Sequence, residues 1–335
     1  MSVFGITMGD SSGVGPEILL RAWAGGELRH QVVVYGDLAV LAECNRRLDF
    51  GVTLRPAASP SDLHDGTLGV IDAGMLGVDE ISPGRISSRS GAAARAYVVA
   101  ATHAALAGEI AGMVTLPMNK EATQLSDPEF VGHTELIGGI CKSPDVTIML
   151  VSEQLIVTHV TTHVSLAEAI VRVKQPRVRR IIELTCEAVS RLKDHPRIAV
   201  AGLNPHAGEN GLFGREDLDE IAPAVAWAQS RGMPVEGPLP ADTVFYMAVR
   251  KQRFDAIVCM YHDQGHVPLK LLDFESGVNV ALGLPIIRTS VDHGTAFDIA
   301  WKGAASTRSL VSALDLAARM ATAAPPVRSP ANAGR

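Results

Sequence analysis

Short apolar runs of strand length alternate with helix-length segments along almost the whole chain, and this alternation restricts the fold more than any other feature. Residues 3–8, 31–35, 68–71, 113–116, 146–151, 155–162, 197–203, 256–261 and 278–282 read as strands; 16–23, 38–47, 91–107, 175–192, 216–231, 243–251 and 309–321 read as helices. Repeated βα units of this kind build a mostly parallel sheet, an α/β fold. Glu153-Gln154 is short enough to turn a hairpin, so part of the sheet is expected to be antiparallel. The 335 residues suffice for two domains or one large α/β unit. No linker-like stretch marks a boundary, so two domains would share a continuous sheet or be crossed by the chain more than once. From Ala323 the chain is rich in proline and small residues and is expected to fray.

Hydrophobic residues make up 47% and charged residues 20%, as suits a soluble protein with a large core. The net charge of −6 comes without a basic stripe, which argues against nucleic acid as a partner. Cys44, Cys141, Cys186 and Cys259 lie too far apart in sequence for a metal or redox pair and read as small buried residues. The most apolar long segment, 91–107, is interrupted by Arg95 and His103, so no membrane span is expected. The chain opens directly on a strand-like run without a charged, apolar leader, and a cytoplasmic location is expected.

Three histidines, His163, His206 and His262, each follow an apolar run at an expected strand end. Ligands collect at the carboxyl ends of strands in α/β proteins. Three imidazoles converging there would hold one divalent metal and leave positions open for substrate, a catalytic rather than a structural arrangement. Zn²⁺, Co²⁺ and Ni²⁺ suit such a site, as do Mg²⁺ and Mn²⁺ with carboxylate help. Any single histidine is more often a hydrogen-bonded core residue, and His159, on the same strand face as His163, is a candidate for that role. In His262-Asp263-Gln264-Gly265-His266, Asp263 could orient an imidazole or be a further ligand.

Other polar phrases fall between the apolar runs. The loop Gly9-Asp10-Ser11-Ser12-Gly13-Val14-Gly15-Pro16 joins a strand to a helix, and Gly13 and Gly15 would let amides approach an anion or cofactor. It lacks the Lys-Ser/Thr of a Walker loop and the third glycine of a dinucleotide fingerprint, so a plain tight turn is an equal reading. Lys120 at a strand end suits acid/base work, though a solvated lysine is commoner. His133 and Thr134 open a helix-like run suited to phosphate or carboxylate, or Thr134 simply caps it. Lys270, Asn279 and Arg288 recur at intervals of nine and would form an anion pocket if the chain folds back. Asp242 could cap the helix after it. Asp292-His293-Gly294-Thr295-Ala296-Phe297-Asp298 reads as a polar turn entering a helix, with Asp298 placed to bind a ribose or start that helix.

Gly132-His133-Thr134-Glu135, Asn204-Pro205-His206-Ala207-Gly208-Glu209-Asn210-Gly211, Tyr261-His262-Asp263-Gln264-Gly265 and Arg288-Thr289-Ser290-Val291-Asp292-His293-Gly294-Thr295-Ala296, in this order, resemble the signatures of the 4-hydroxythreonine-4-phosphate dehydrogenase family. The last stretch through Ala300 is also similar to the adenosine-binding loop of the wider isocitrate and isopropylmalate dehydrogenase fold. The resemblance implies an NAD- and divalent-metal-dependent homodimer, its active site in a cleft between two α/β domains and shared across the dimer. The implied domains are 1–125 with 290–325 on the cofactor side and 126–289 carrying metal, substrate and dimer contacts, with 326–335 a flexible tail. By the same resemblance His163, His206 and His262 are metal ligands, one from the partner subunit, and His133, Thr134, Lys270, Asn279 and Arg288 bind the substrate phosphate. Gly13, Gly15, His293, Gly294, Thr295 and Asp298 fall to the cofactor, and Lys120, Asp242 and then Asp263 are candidates for the acid/base. Gln264-Gly265-His266-Val267-Pro268-Leu269-Lys270-Leu271-Leu272 and Ala296-Phe297-Asp298-Ile299-Ala300-Trp301 look like the branch that oxidises and decarboxylates D-threonate or D-erythronate 4-phosphate to dihydroxyacetone phosphate. The vitamin B6 branch stands close behind; a cis-dihydrodiol dehydrogenase and a non-catalytic sensor of phosphorylated sugar acids are further readings. Two positions depart from the pattern: Ser11-Ser12 replaces Pro-Ala, and Trp301 stands where many relatives of the wider fold have glycine.

Overall fold

The computed structural model describes residues 2–322 other than Glu275. Its strands are β1 (Val3–Thr7), β2 (Gln31–Gly36), β3 (Leu54–Pro56), β4 (Leu68–Asp72), β5 (Gly112–Thr115), β6 (Thr147–Val151), β7 (Ile156–His159), β8 (Ile198–Ala201), β9 (Val235–Leu239), β10 (Ala256–Cys259), β11 (Val278–Leu282) and β12 (Arg288–Val291). The chain forms two compact units, one of Met1–Ser152 with Asp273–Ala318, the other of Glu153–Leu272 with residues 319–322.

In the first unit the strand order is β3-β4-β2-β1-β5-β12-β11-β6. All neighbours are parallel except β11, which runs against both β12 and β6. In the second unit the order β7-β10-β8-β9 is parallel throughout. Strands β5, β7, β8 and β10 are buried at every position, the condition of a sheet covered on both faces. The helix Ser88–Leu106 is almost all small residues on its inner side. A Cβ on Gly91 would meet the Ala122 carbonyl carbon at 2.3 Å, so this glycine lets the helix press onto Lys120–Gln124.

The mostly parallel α/β sheet agrees with the sequence reading, while the division of the chain differs from it. Residues 126–152 and 273–289, expected in the second unit, lie in the first, because Val278–Leu282 pairs residue for residue with Val151–Thr147 and bonds to β12 on its other edge. Strands β3, β9 and β12 were absent from the expectation, as was the helix His262–Leu272. The helix expected after Asp292 does not form: residues 297–303 make turns, and the next helix begins at Arg308. The expected tail at 326–335 lies outside the described residues. No described helix is long and apolar enough to cross a membrane.

Candidate active site

In the second unit β7 and β10 are parallel neighbours, with Cys259 in register with His159. The pairing continues past the strands, the amides of Val160 and Thr161 donating to the carbonyls of Cys259 and Met260. His163 and His262 therefore leave the sheet together. Their ring centroids are 5.7 Å apart, and both line a hollow of about 430 Å³ with Thr162, Ser165 and Tyr261. The Asp263 carboxylate stands 2.6 Å from His262 Nδ1. A carboxylate only accepts, so it holds the proton on Nδ1 and leaves Nε2 with a free lone pair, as metal-binding histidines require.

His206 does not join them. It begins a run of left-handed residues, His206 to Asn210, with φ between 42° and 81°. Buried Asp217 anchors this loop by accepting from the amides of Leu203 and Asn204 and from Asn204 Nδ2. Asn204 also donates to Glu216 and, as the largest influence, holds that carboxyl below its usual range. Among the described residues no three histidine, cysteine or carboxylate side chains are close enough to hold a metal. Within one chain His163 and His262 thus form a pair, because the left-handed loop carries His206 to Phe213, 6.2 Å away between centroids. Two imidazoles, one fixed by a carboxylate, are a fitting but incomplete donor set for a divalent ion. Asp242 is exposed in the first turn of the helix Ala241–Val249 and makes no capping bond, the cap position being Pro240. That helix packs on the His206 loop. Lys270 lies on the helix His262–Leu272 in the second unit, while Asn279 and Arg288 belong to the first. The expected anion trio is therefore not drawn from one unit.

The first unit has its own polar pocket. Ser290 of β12 pairs with Asn279 of β11 on one side and with Thr115 of β5 on the other, and Arg288 is two residues from Ser290. Alternation along the strand puts Arg288, Asn279 and Thr115 on one face. Arg288 is buried; its Nη2 donates to Thr115 Oγ1 at 2.7 Å and its Nε has no protein partner. Burial lowers its pKa to about 10, against the pull of Glu135, so it stays cationic at neutral pH. His133 is pressed to about 3 by burial first, then by Arg288 and Lys120, and is neutral. One of its nitrogens bonds to the Leu116 backbone while Nε2 is buried without a protein partner, as is Asn279 Oδ1. Lys120 is exposed, with its Cε 3.9 Å from where a Gly132 Cβ would stand, beside the first turn of the helix His133–Ile140. Thr134 does not cap that helix; Gly132 holds the cap position without a side-chain bond. A buried guanidinium with an unsatisfied Nε is costly, on the order of 1–3 kcal/mol, unless an acceptor arrives. A phosphate or carboxylate supplies one. Thr115, which sequence reasoning missed, was signalled only by a hydroxyl at a strand end.

The glycine-rich loop is closed on itself. The Ser12 amide donates to Asp10 Oδ1, the Gly13 amide to the Asp10 carbonyl and the Val14 amide to the Thr295 carbonyl, so these three are not open to an anion. Gly13 is needed because a Cβ would meet the Thr295 carbonyl oxygen at 2.9 Å, and Gly15 because one would meet that of Met8 at 2.2 Å. The loop and the 293–298 turn thus lock together, with His293, Gly294 and Asp298 exposed. Ser11 and Ser12 both bond to Ser90, and Trp301 Nε1 donates to the Ser11 carbonyl. Trp301 has φ of 60°, the region glycine prefers, and Arg47 lies over its ring.

Buried Asp10 is pushed up to about 6 by desolvation, against the opposing bonds from the Ser12 and Asn119 backbones. The unfolded carboxyl ionises near 4. Between about pH 4 and 6 the folded protein therefore keeps a proton the unfolded chain has lost, and this group's contribution to stability falls as pH rises through that window. Asp10→Asn, which keeps the acceptor for Ser12, should be more stable than wild type at pH 7.5 by on the order of 2 kcal/mol, the gap closing towards pH 4. Thermal melts across that range check this; a gap independent of pH would refute it.

The pyridoxal phosphate biosynthetic protein PdxA family matches residues 27–317. The D-threonate 4-phosphate dehydrogenase of Cupriavidus necator is 45% identical over 328 residues, covering 96% of this chain and 98% of its own. The 4-hydroxythreonine-4-phosphate dehydrogenase of Desulforapulum autotrophicum is 42% identical over 328 residues, 96% of each chain. The solved structure of 4-hydroxythreonine-4-phosphate dehydrogenase from Klebsiella pneumoniae is similar with a TM-score of 0.87 at 42% identity, covering 96% of this chain and 100% of that one.

Proposed function

The chain belongs to the pyridoxal phosphate biosynthetic protein PdxA family and is a dehydrogenase, and from that premise we propose that it oxidises D-threonate or D-erythronate 4-phosphate with NAD and decarboxylates the product. The observation that carries the reading is the buried Arg288, with an unsatisfied Nε, beside a neutral His133 and the unpartnered Asn279 Oδ1. These groups, with Thr134 at the helix start, take the phosphate; binding energy from that remote group orients the C3 hydroxyl. By the family resemblance Lys270 is a further cation proposed for the phosphate.

The metal-binding role falls to His163 and His262, with His206 of a second copy as third ligand, which makes the enzyme a homodimer with shared sites. When bound, a divalent metal supplies Lewis acidity towards a hydroxyl or ketone oxygen. Asp263 keeps the His262 tautomer fixed, and with that carboxylate engaged, Lys120 beside the anion pocket is the better acid/base than Asp263, with Asp242 the other candidate. The C3 hydroxyl proton passes to the base and the C3 hydride to NAD, leaving a 3-keto acid. The C1–C2 bond then breaks, carbon dioxide leaves, and C2 takes up a proton to give dihydroxyacetone phosphate. His293, Gly294, Thr295 and Asp298 form the surface offered to NAD, with Gly13 and Gly15 shaping the loop behind it.

NADH formation with added divalent metal tests this, using D-threonate 4-phosphate, D-erythronate 4-phosphate and 4-phosphohydroxy-L-threonine side by side. The sugar-acid phosphates are expected to turn over and the amino compound not. Turnover of the amino compound alone would replace this reading with the vitamin B6 one. Absence of NADH from all three would overturn both.

A further inference from the structure

Behind His262 stands a second pair of histidines. His266 is one helical turn along, and its ring stacks on that of His262 with centroids 3.6 Å apart and planes 11° from parallel. It is buried and lies behind His262, not among the residues lining the hollow. Its Nδ1 is 3.0 Å from the His262 carbonyl oxygen and 3.2 Å from Nε2 of His159, which is fully buried at the end of β7. Gly265 makes this possible: a Cβ there would stand 2.5 Å from His159 Nε2 and 3.0 Å from Cys259 Sγ. A glycine in a helix interior costs about 1 kcal/mol against alanine, and here the cost admits the His159 ring.

We propose that His266, braced by His159 through the gap at Gly265, is a positioning residue that sets the ring plane of His262. Asp263 governs the tautomer and the rotation within that plane; His266, lying flat against the face, stops the ring from tipping about its own axis. Together they leave Nε2 one direction, into the hollow. A ligand held on both counts loses little freedom when an ion binds; outer partners that hydrogen-bond a ligand typically contribute 10- to 100-fold in metal affinity, and the stacked ring restricts the same freedom from the other side. The proposal rests on the reading of His262 as a metal ligand.

Co²⁺ titrated into metal-stripped protein separates the two, read by its visible absorption and its dissociation constant, with thermal melts to confirm folding. H266A is expected to bind about tenfold more weakly with an altered spectrum, at the lower end of the range for such partners. H266F, which restores a flat ring but not the nitrogen, should recover most of the affinity. Should H266A not fold, H266L, which fills the space without a flat ring, carries the same expectation. Wild-type affinity and spectrum in folded H266A would overturn the proposal, as would H266F binding as weakly as H266A. If wild type binds no Co²⁺, or H262A binds as tightly as wild type, the metal reading itself fails.

Discussion

Arg288→Met should lower kcat/KM for a 4-phosphorylated hydroxy acid by about three orders of magnitude, roughly 4 kcal/mol, with thermal stability unchanged or raised. The two halves of this expectation come from the same geometry. The guanidinium is buried, bonded through one nitrogen to Thr115 and unsatisfied at Nε, so in the free protein it is a desolvated charge with an unpartnered donor. Replacing a buried charge with an apolar side chain of similar length is often neutral or stabilising. With substrate present the balance reverses, since a phosphate dianion provides the missing acceptors where little water competes. Steady-state kinetics and thermal melts on one preparation check both halves. A loss of activity that tracked a loss of stability would make Arg288 a structural residue. Equal turnover of a non-phosphorylated cis-dihydrodiol by wild type and variant would mean the pocket serves the phosphate alone.

The second large effect concerns the divided histidines. His262→Ala and His206→Ala should each reduce turnover by at least about a thousandfold, as losing one of three ligands to a catalytic ion does. Mixing the two inactive proteins under conditions that exchange subunits should restore about a quarter of wild-type activity, because half the dimers are mixed and each has one intact site of two. Activity that stays absent after verified exchange would place all three ligands in one chain or remove His206 from the site. Full turnover by His206→Ala alone would end the metal mechanism as drawn.

What was readable in the sequence depended on whether local pattern and tertiary role agreed. Strands β1, β2, β5 and β10 are mostly apolar and almost wholly buried, and their residues announce them. Strand β12, Arg288-Thr289-Ser290-Val291, is mostly polar yet wholly buried, since Thr115 takes the guanidinium and the Ala313 carbonyl takes the Thr289 hydroxyl. No local pattern shows partners 173 and 24 positions away. Strand β9 contains Pro238 and β3 ends on Pro56; both are outermost in their units, where proline is tolerated. The helix His262–Leu272 was hidden by Gly265 and Pro268, which read as a turn until His159 accounts for the glycine. Of the candidate site, His163, His262 and Asp263 converge as their strand-end positions suggested. His206 departs because a left-handed loop follows its strand, and Lys270 falls in a different unit from Asn279 and Arg288.

The place of β12 also bears on how the protein is made. It fills the sheet between β5 and β11, and β5 is complete at Thr115. A ribosome adding about 5–20 residues per second needs on the order of ten seconds or more to supply the strand that covers it. Through that interval Met113 and Val114, fully buried in the finished protein, border an open sheet edge on the emerging chain. Such an edge pairs readily with other chains. Most of the second unit, Glu153–Leu272, is synthesised meanwhile, so Arg288, proposed to recognise phosphate, arrives on the segment that also closes the sheet.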